Sequence, residues 1–207
     1  MKPAVVLVHG IWMNGLDMSL LRKRLQVSGF ETHQFSYHSL RNSPAENAVD
    51  LKIFTEAVKT TVIHYVGHSL GGLVIRHLLN YSPDPRTGRI VTLGTPHQPS
   101  SAAMRLRGFA LGRLLLGRST IHGLTGDLPP WNTDYELGVI AGNRRFGAGI
   151  IVPGIPKPSD GTVSVAETRI KQMTDHCILP VTHTGLLLSR ETVRQVVCFL
   201  WNGKFCR

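Results

Sequence analysis

One pentapeptide in this 207-residue chain has the composition of a nucleophile's turn: Gly67-His68-Ser69-Leu70-Gly71. The apolar run Thr61 to Gly67 precedes it, and Gly72-Leu73-Val74-Ile75 continues a helical pattern after it. A strand that turns at once into a helix leaves no room for side chains beside the turn, which flanking glycines solve, and the serine between them is left exposed off the strand's end. A serine hydroxyl is a weak nucleophile near neutral pH. It needs a base to take its proton, a carboxylate to orient that base, and N–H donors for the charge that develops on the attacked carbonyl. Ten histidines compete for the role of base. His68 adjoins the serine and is expected to point away from it. His97 follows an apolar run and is a candidate for lining a substrate pocket, as is Trp12 near the N-terminus. His176 opens the last apolar run and His183 ends it. Asp160, in Ser159-Asp160-Gly161-Thr162, and Asp175 are the two candidate acids. No H-E-x-x-H or comparable spacing exists among the histidines, and none among Cys177, Cys198 and Cys206, so neither a metal nor another cofactor is expected.

The elements that must position these residues alternate between short β-branched runs and helical patterns, the mark of a parallel sheet covered on both faces. The expected strands are Ala4 to Val8, Phe30 to Tyr37, Thr61 to Gly67, Arg89 to Gly94, Tyr135 to Ala141 and Ile178 to Thr182. A helix is expected from Leu16 to Ser28, with Leu20, Leu21 and Leu25 facing inward and Gly29 as its stop. Ser43-Pro44-Ala45-Glu46 supplies an N-cap, a first-position proline and a capping-box glutamate for a helix reaching Lys59. Another helix spans Leu70 to Tyr81, and a last one begins after Ser189 with Val193, Val196, Val197 and Leu200 on one face. Residues 96 to 134 read as irregular, and Gly147 to Gly161 as a Gly/Pro-rich loop. No linker or repeat divides the chain, so a single domain over 1–207 is expected, with a short cap-like insertion at 96–134.

Gly67-His68-Ser69-Leu70-Gly71-Gly72 resembles the nucleophile elbow of bacterial lipases and related α/β-hydrolases. His9-Gly10-Ile11 after the first strand resembles their oxyanion loop. Val181-Thr182-His183-Thr184-Gly185-Leu186-Leu187 is similar to the catalytic-histidine segment of small lidless bacterial lipases, and hydrolases resembling GPI-inositol deacylases look similar as well. The resemblance runs from residue 4 to about 200 and lacks the two N-terminal strands and large cap of bigger members. It implies a three-layer α/β-hydrolase fold of about six parallel strands, minimal in form; the 96–134 insertion is too short for a large cap, so a fairly open site is expected. The resemblance also implies the order nucleophile, acid, base along the chain. Ser69 is then the nucleophile and His183 the base, on the sheet edge that carries Ser69. Asp160 follows the fifth strand at that same edge, where parallel sheets gather their functional loops, and is the acid; Asp175 lies at the opposite end of the sixth strand. The Leu70 N–H supplies one oxyanion donor, and the resemblance assigns the other to Ile11, with Trp12 as the alternative.

The net charge is +10, and between Asp84 and Asp127 there are six arginines and no acid. Such a surface suits nucleic acid, anionic lipid or an acidic substrate. No helix-turn-helix, zinc-finger or aromatic-stacking signature supports nucleic acid. The segment 100–118 mixes Leu, Phe and Met with arginine, as a membrane-surface segment does, although Gly108 and Gly112 weaken a continuous helix there. No run reaches the ~18 apolar residues that cross a bilayer, and the first residues lack a signal-peptide pattern, so a cytoplasmic location is expected. An odd count of cysteines then implies reduced thiols, with Cys198 in the core. The expected activity is hydrolysis of a small-molecule or lipid carboxylic ester. A thioesterase or acyltransferase would use the same residues, and a non-catalytic binding protein would need none of them.

Overall fold

The computed structural model describes residues 2–131, 135–145 and 154–207. Six strands form one sheet: β1 (Ala4–Val8), β2 (Glu31–Phe35), β3 (Ile63–His68), β4 (Thr87–Leu93), β5 (Leu137–Gly142) and β6 (Asp175–Leu179). Their order is β2-β1-β3-β4-β5-β6, and every neighbouring pair is parallel. Parallel strands need long crossovers, and the helices that provide them cover both faces. These are α1 (Ser19–Val27), α2 (Pro44–Glu56), α3 (Leu70–Tyr81), the short pair α4 (Ser101–Arg107) and α5 (Ala110–Leu116), then α6 (Gly185–Leu188) and α7 (Arg190–Asn202).

Alternation along β1 shows how the sheet makes two cores, because successive side chains point to opposite faces. Val6 and Val8 join Leu51 of α2 and Val74, Ile75 and Leu78 of α3. Val5 and Leu7 join Leu21 and Leu25 of α1 and Val196, Phe199 and Leu200 of α7. All five β1 residues are buried. A third cluster, Leu70, Leu73, Ala103, Leu116 and Leu124, binds the start of α3 to α4 and α5.

Ser43 caps α2 in a complete capping box with Glu46, with Pro44 in the first turn. Elsewhere the expected boundaries move, for physical reasons. A 3-10 turn, Gly15–Met18, capped by Asn14, precedes α1; Leu21 and Leu25 are buried as expected, together with Met18, while Leu20 is exposed. The sixth strand starts at Asp175 rather than Ile178. As an edge strand it is covered incompletely, and its polar first residues hide it from an apolar pattern. His183 therefore lies in the loop beyond the strand rather than at its last position. The stretch after β4 is not irregular, since it contains both α4 and α5. Gly112 is what lets them cross, because a β-carbon there would strike the Leu106 carbonyl. Residues 132–134 of the expected insertion and 146–153 around the expected Gly/Pro-rich loop lie outside the described residues. The cysteines also differ from expectation. Cys198 and Cys206 are joined in a disulfide, with Cα atoms 5.8 Å apart, and Cys177 alone is free. That bond corrects the expectation of three reduced thiols. No helix among the described residues is long and apolar enough to cross a membrane.

Candidate active site

Ser69 stands between β3 and α3 at φ 52°, ψ −121°, outside the regions that residues with a β-carbon favour. The neighbourhood overdetermines this conformation. The Ser69 N–H donates to the Leu93 carbonyl at 2.9 Å, and its own carbonyl accepts from the Thr95 hydroxyl at 2.9 Å and the Gly72 N–H at 3.1 Å. A β-carbon on Gly71 would strike the carbonyls of Val8 and His9, and one on Gly67 would strike the Gly72 backbone. The glycines thus bring the start of α3 against β1 and β3, as the motif's spacing implies.

Asp160 and His183 meet at the same edge of the sheet. The Asp160 side chain is buried, and its Oδ2 lies 2.7 Å from His183 Nδ1. Its Oδ1 accepts N–H groups from Thr162 at 2.9 Å and Val163 at 2.7 Å. The His183 N–H in turn donates to the Asp160 carbonyl at 3.0 Å, so backbone and side chain are both fixed. Burial pushes the Asp160 carboxyl up, but the adjoining His183 and the two amides outweigh it, and the group sits below its ordinary range. With Nδ1 donating to this carboxylate, the neutral imidazole presents Nε2 as its acceptor. No hydrogen bond joins Ser69 Oγ to His183 among the described residues. In unliganded sites such bonds are often long and tighten with substrate.

The N–H groups of Ile11 and Leu70 have no hydrogen-bond partner among the described residues. The Trp12 N–H donates to Ser39 Oγ at 3.2 Å. Of these two residues, Ile11 alone has its amide free among the described residues. Trp12 itself has φ 60° and donates Nε1–H to the Leu115 carbonyl at 2.7 Å, tying this loop to α5.

Three neighbours of the site carry no local sequence signal, because their contacts span long sequence separations. Tyr37 stacks on His9 at 4.2 Å, donates its hydroxyl to the His9 carbonyl at 2.7 Å, and so supports the loop before Ile11. Thr95 holds the elbow carbonyl. His68, expected merely to point away from Ser69, reaches across to His183: its Nε2 is 3.1 Å from the His183 carbonyl and the two rings lie 4.7 Å apart. Burial and the adjacent His183 push the His68 imidazole down to about 3, so it is neutral at ordinary pH.

The remaining candidates lie elsewhere. His97 is buried against Thr92 Oγ1 at 3.1 Å and the edge of Trp131; it lines a neighbouring cavity with Arg76 and Gln98, while its neighbour Pro96 lines the Ser69 cavity. Trp12 does line that cavity. Asp175 sits at the far end of β6, where its carboxylate accepts the Phe205 N–H at 2.9 Å. The site is also less open than expected. Ser69 is 5% exposed, beneath a roof formed by α4 and α5, in a cavity of about 40 Å³. Among the described residues no group of three or more His, Cys, Asp or Glu could hold a metal ion.

The parallel sheet, its covering helices and the elbow define the class: the fold is that of the α/β-hydrolases. Residues 2–98 match the model of the family described as "Putative serine esterase (DUF676)". Among solved structures, the mature lipase BlEst2 of Bacillus licheniformis is similar over 99% of this chain and 93% of its own, at 16% identity and a TM-score of 0.72. An esterase of Thermogutta terrifontis is similar over 99% and 91%, at 15% identity and a TM-score of 0.71. The carboxylesterase CesB of Bacillus subtilis is similar over 99% and 85%, at 16% identity and 0.61. No curated protein matches the chain.

Proposed function

We propose that this chain hydrolyses carboxylic esters through an acyl-serine intermediate. The observation that carries the reading is the buried Asp160–His183 pair, standing at the sheet edge where Ser69 is held on its strained turn. The names of the matching family and of the similar structures, serine esterase, lipase and carboxylesterase, support the same reading. In the first step His183 Nε2 takes the Ser69 proton as Oγ attacks the ester carbonyl. Asp160 stabilises the imidazolium and holds its orientation. The N–H groups of Ile11 and Leu70 meet the oxyanion as it forms; losing one such donor costs roughly 3 kcal/mol in other hydrolases. His183 then protonates the leaving alcohol, and water, deprotonated by the same imidazole, releases the acid and restores Ser69. Steady-state hydrolysis of p-nitrophenyl acetate tests this. Turnover should be measurable for the parent protein and lost in His183→Ala; equal rates in the two would end the proposal.

We further propose that the outer face of α4 and α5 rests on an anionic lipid surface. Phe109 and Leu114 are 69% and 74% exposed, and Met104 and Leu111 are exposed beside them. Arg105, Arg107 and Arg113 lie among these residues in sequence, and no acidic residue occurs from 85 to 126. Apolar insertion combined with guanidinium–phosphate attraction is how an interfacial face holds a bilayer. Vesicle sedimentation should show binding that rises with anionic lipid and falls with salt. Binding indifferent to both would refute it.

A further inference from the structure

The cavity that holds Ser69 also encodes a choice of acyl group. We infer that the protein selects esters of short acids, two to four carbons long, and that Leu106 and Leu116 set the limit; this rests on the ester-hydrolase reading above. The cavity's volume of about 40 Å³ leaves room for on the order of one to three non-hydrogen atoms. Ile11 and Ser69 are among its lining residues, so the carbonyl attacked by Ser69 would lie against it. Leu106 of α4, Leu116 of α5 and Leu124 line it as well, and its surface is almost wholly apolar.

A small cavity limits chain length only if its roof stays in place, and this roof is fastened at both ends. The Ser101 N–H donates to Glu167 Oε1 at 2.7 Å and the Ser100 N–H to the Leu124 carbonyl at 2.8 Å. At the other end, the Arg118 N–H donates to the Leu40 carbonyl at 2.9 Å and Trp12 Nε1–H to the Leu115 carbonyl. Between the ends, Leu116 and Ala103 are buried with Leu70 and Leu73 of α3, the helix that starts at the nucleophile. The outward face described above therefore belongs to a fixed platform, and the wall beneath it acts as a gauge. Each methylene that a hydrophobic pocket cannot accommodate, or gains room for, changes the specificity constant by about ten- to two-hundredfold.

The test is kcat/KM for p-nitrophenyl acetate, butyrate and octanoate, each in monomeric solution. The parent protein should favour acetate or butyrate over octanoate by at least about tenfold. Leu106→Ala removes a half-buried side chain, and it should raise the octanoate-to-acetate ratio by about tenfold or more. Leu116→Ala should do the same, and Ala103→Val should lower the butyrate-to-acetate ratio. Thermal melts identify any variant that fails to fold, and the remaining variants then decide. An octanoate preference in the parent protein, or chain-length ratios unmoved in the folded variants, overturns the inference while leaving ester hydrolysis intact. Absence of turnover on all three esters, with no covalent labelling of Ser69, overturns the hydrolase reading and this inference together.

Discussion

At Ser69 the backbone conformation and the proposed chemistry pull against each other. A β-carbon at φ 52° costs on the order of 1–3 kcal/mol, which only glycine escapes. Ser69→Gly should therefore be more stable than Ser69→Ala by about 1 kcal/mol in urea unfolding, with both inactive; equal stabilities would mean the turn stores no strain. The two aspartates make a second comparison. Asp160→Asn should lower turnover by about 10⁴-fold, as loss of a triad acid does elsewhere. Asp175→Asn should leave turnover within about twofold, since Asp175 serves the Phe205 N–H at the other end of β6. A reversal would show that the wrong carboxylate has been paired with His183. Asp160 was readable from its edge of the sheet, and His183 from the end of the last apolar run. Tyr37 and Thr95 were not, because a residue that supports a loop from 28 positions away leaves no local pattern.

The elements differ in legibility for similar reasons. The start of α2 could be read because Ser43, Pro44 and Glu46 act on one another within four residues. Central strands β1 and β3 are buried on both faces and read as apolar runs, whereas β6 lies at the edge and its opening Asp175-His176 does not. The roof was read as irregular, and Gly108 does interrupt it as its helix-weakening character implies, ending α4 before α5 begins. In the fold Gly112 is the point of close approach between α4 and α5. The disulfide was hidden by an odd cysteine count, since parity says nothing about which two of three are neighbours. The elbow glycines give the sharpest test at this scale. Gly71→Ala would drive a β-carbon into the carbonyls of Val8 and His9, joining the strain of Ser69 to a steric one. It should lower stability by about 3 kcal/mol or more in chemical unfolding. A loss below about 1 kcal/mol would show that α3 can retreat from β1 without harm.

Across the whole molecule, burial of neutral histidines links stability to pH. His68 and His97 are each pushed down to about 3 by burial, with His183 and Arg76 adding to the effect, and His64 to about 4 by burial and Arg89. In the unfolded chain these groups titrate near 6.5, so below that pH the unfolded state binds more protons. The stability they contribute is present in full above about pH 6.5 and declines as pH falls toward their folded-state values. Each should cost on the order of 1–2 kcal/mol between pH 7 and pH 5. The urea midpoint should therefore drop over that interval, and His97→Gln, outside the proposed catalytic groups, should flatten the drop. A midpoint that holds steady from pH 7 to 5 would mean that these histidines are not buried neutral.

The central claim is that Ser69 is an activated nucleophile, and its most direct measurement is the mass of the protein after exposure to a fluorophosphonate, with the adduct located by peptide mapping. The account predicts one equivalent of label per chain, on Ser69, absent in Ser69→Ala and strongly slowed in His183→Ala. Labelling that persists in a folded Ser69→Ala protein, or a parent protein that takes up no label, would contradict it.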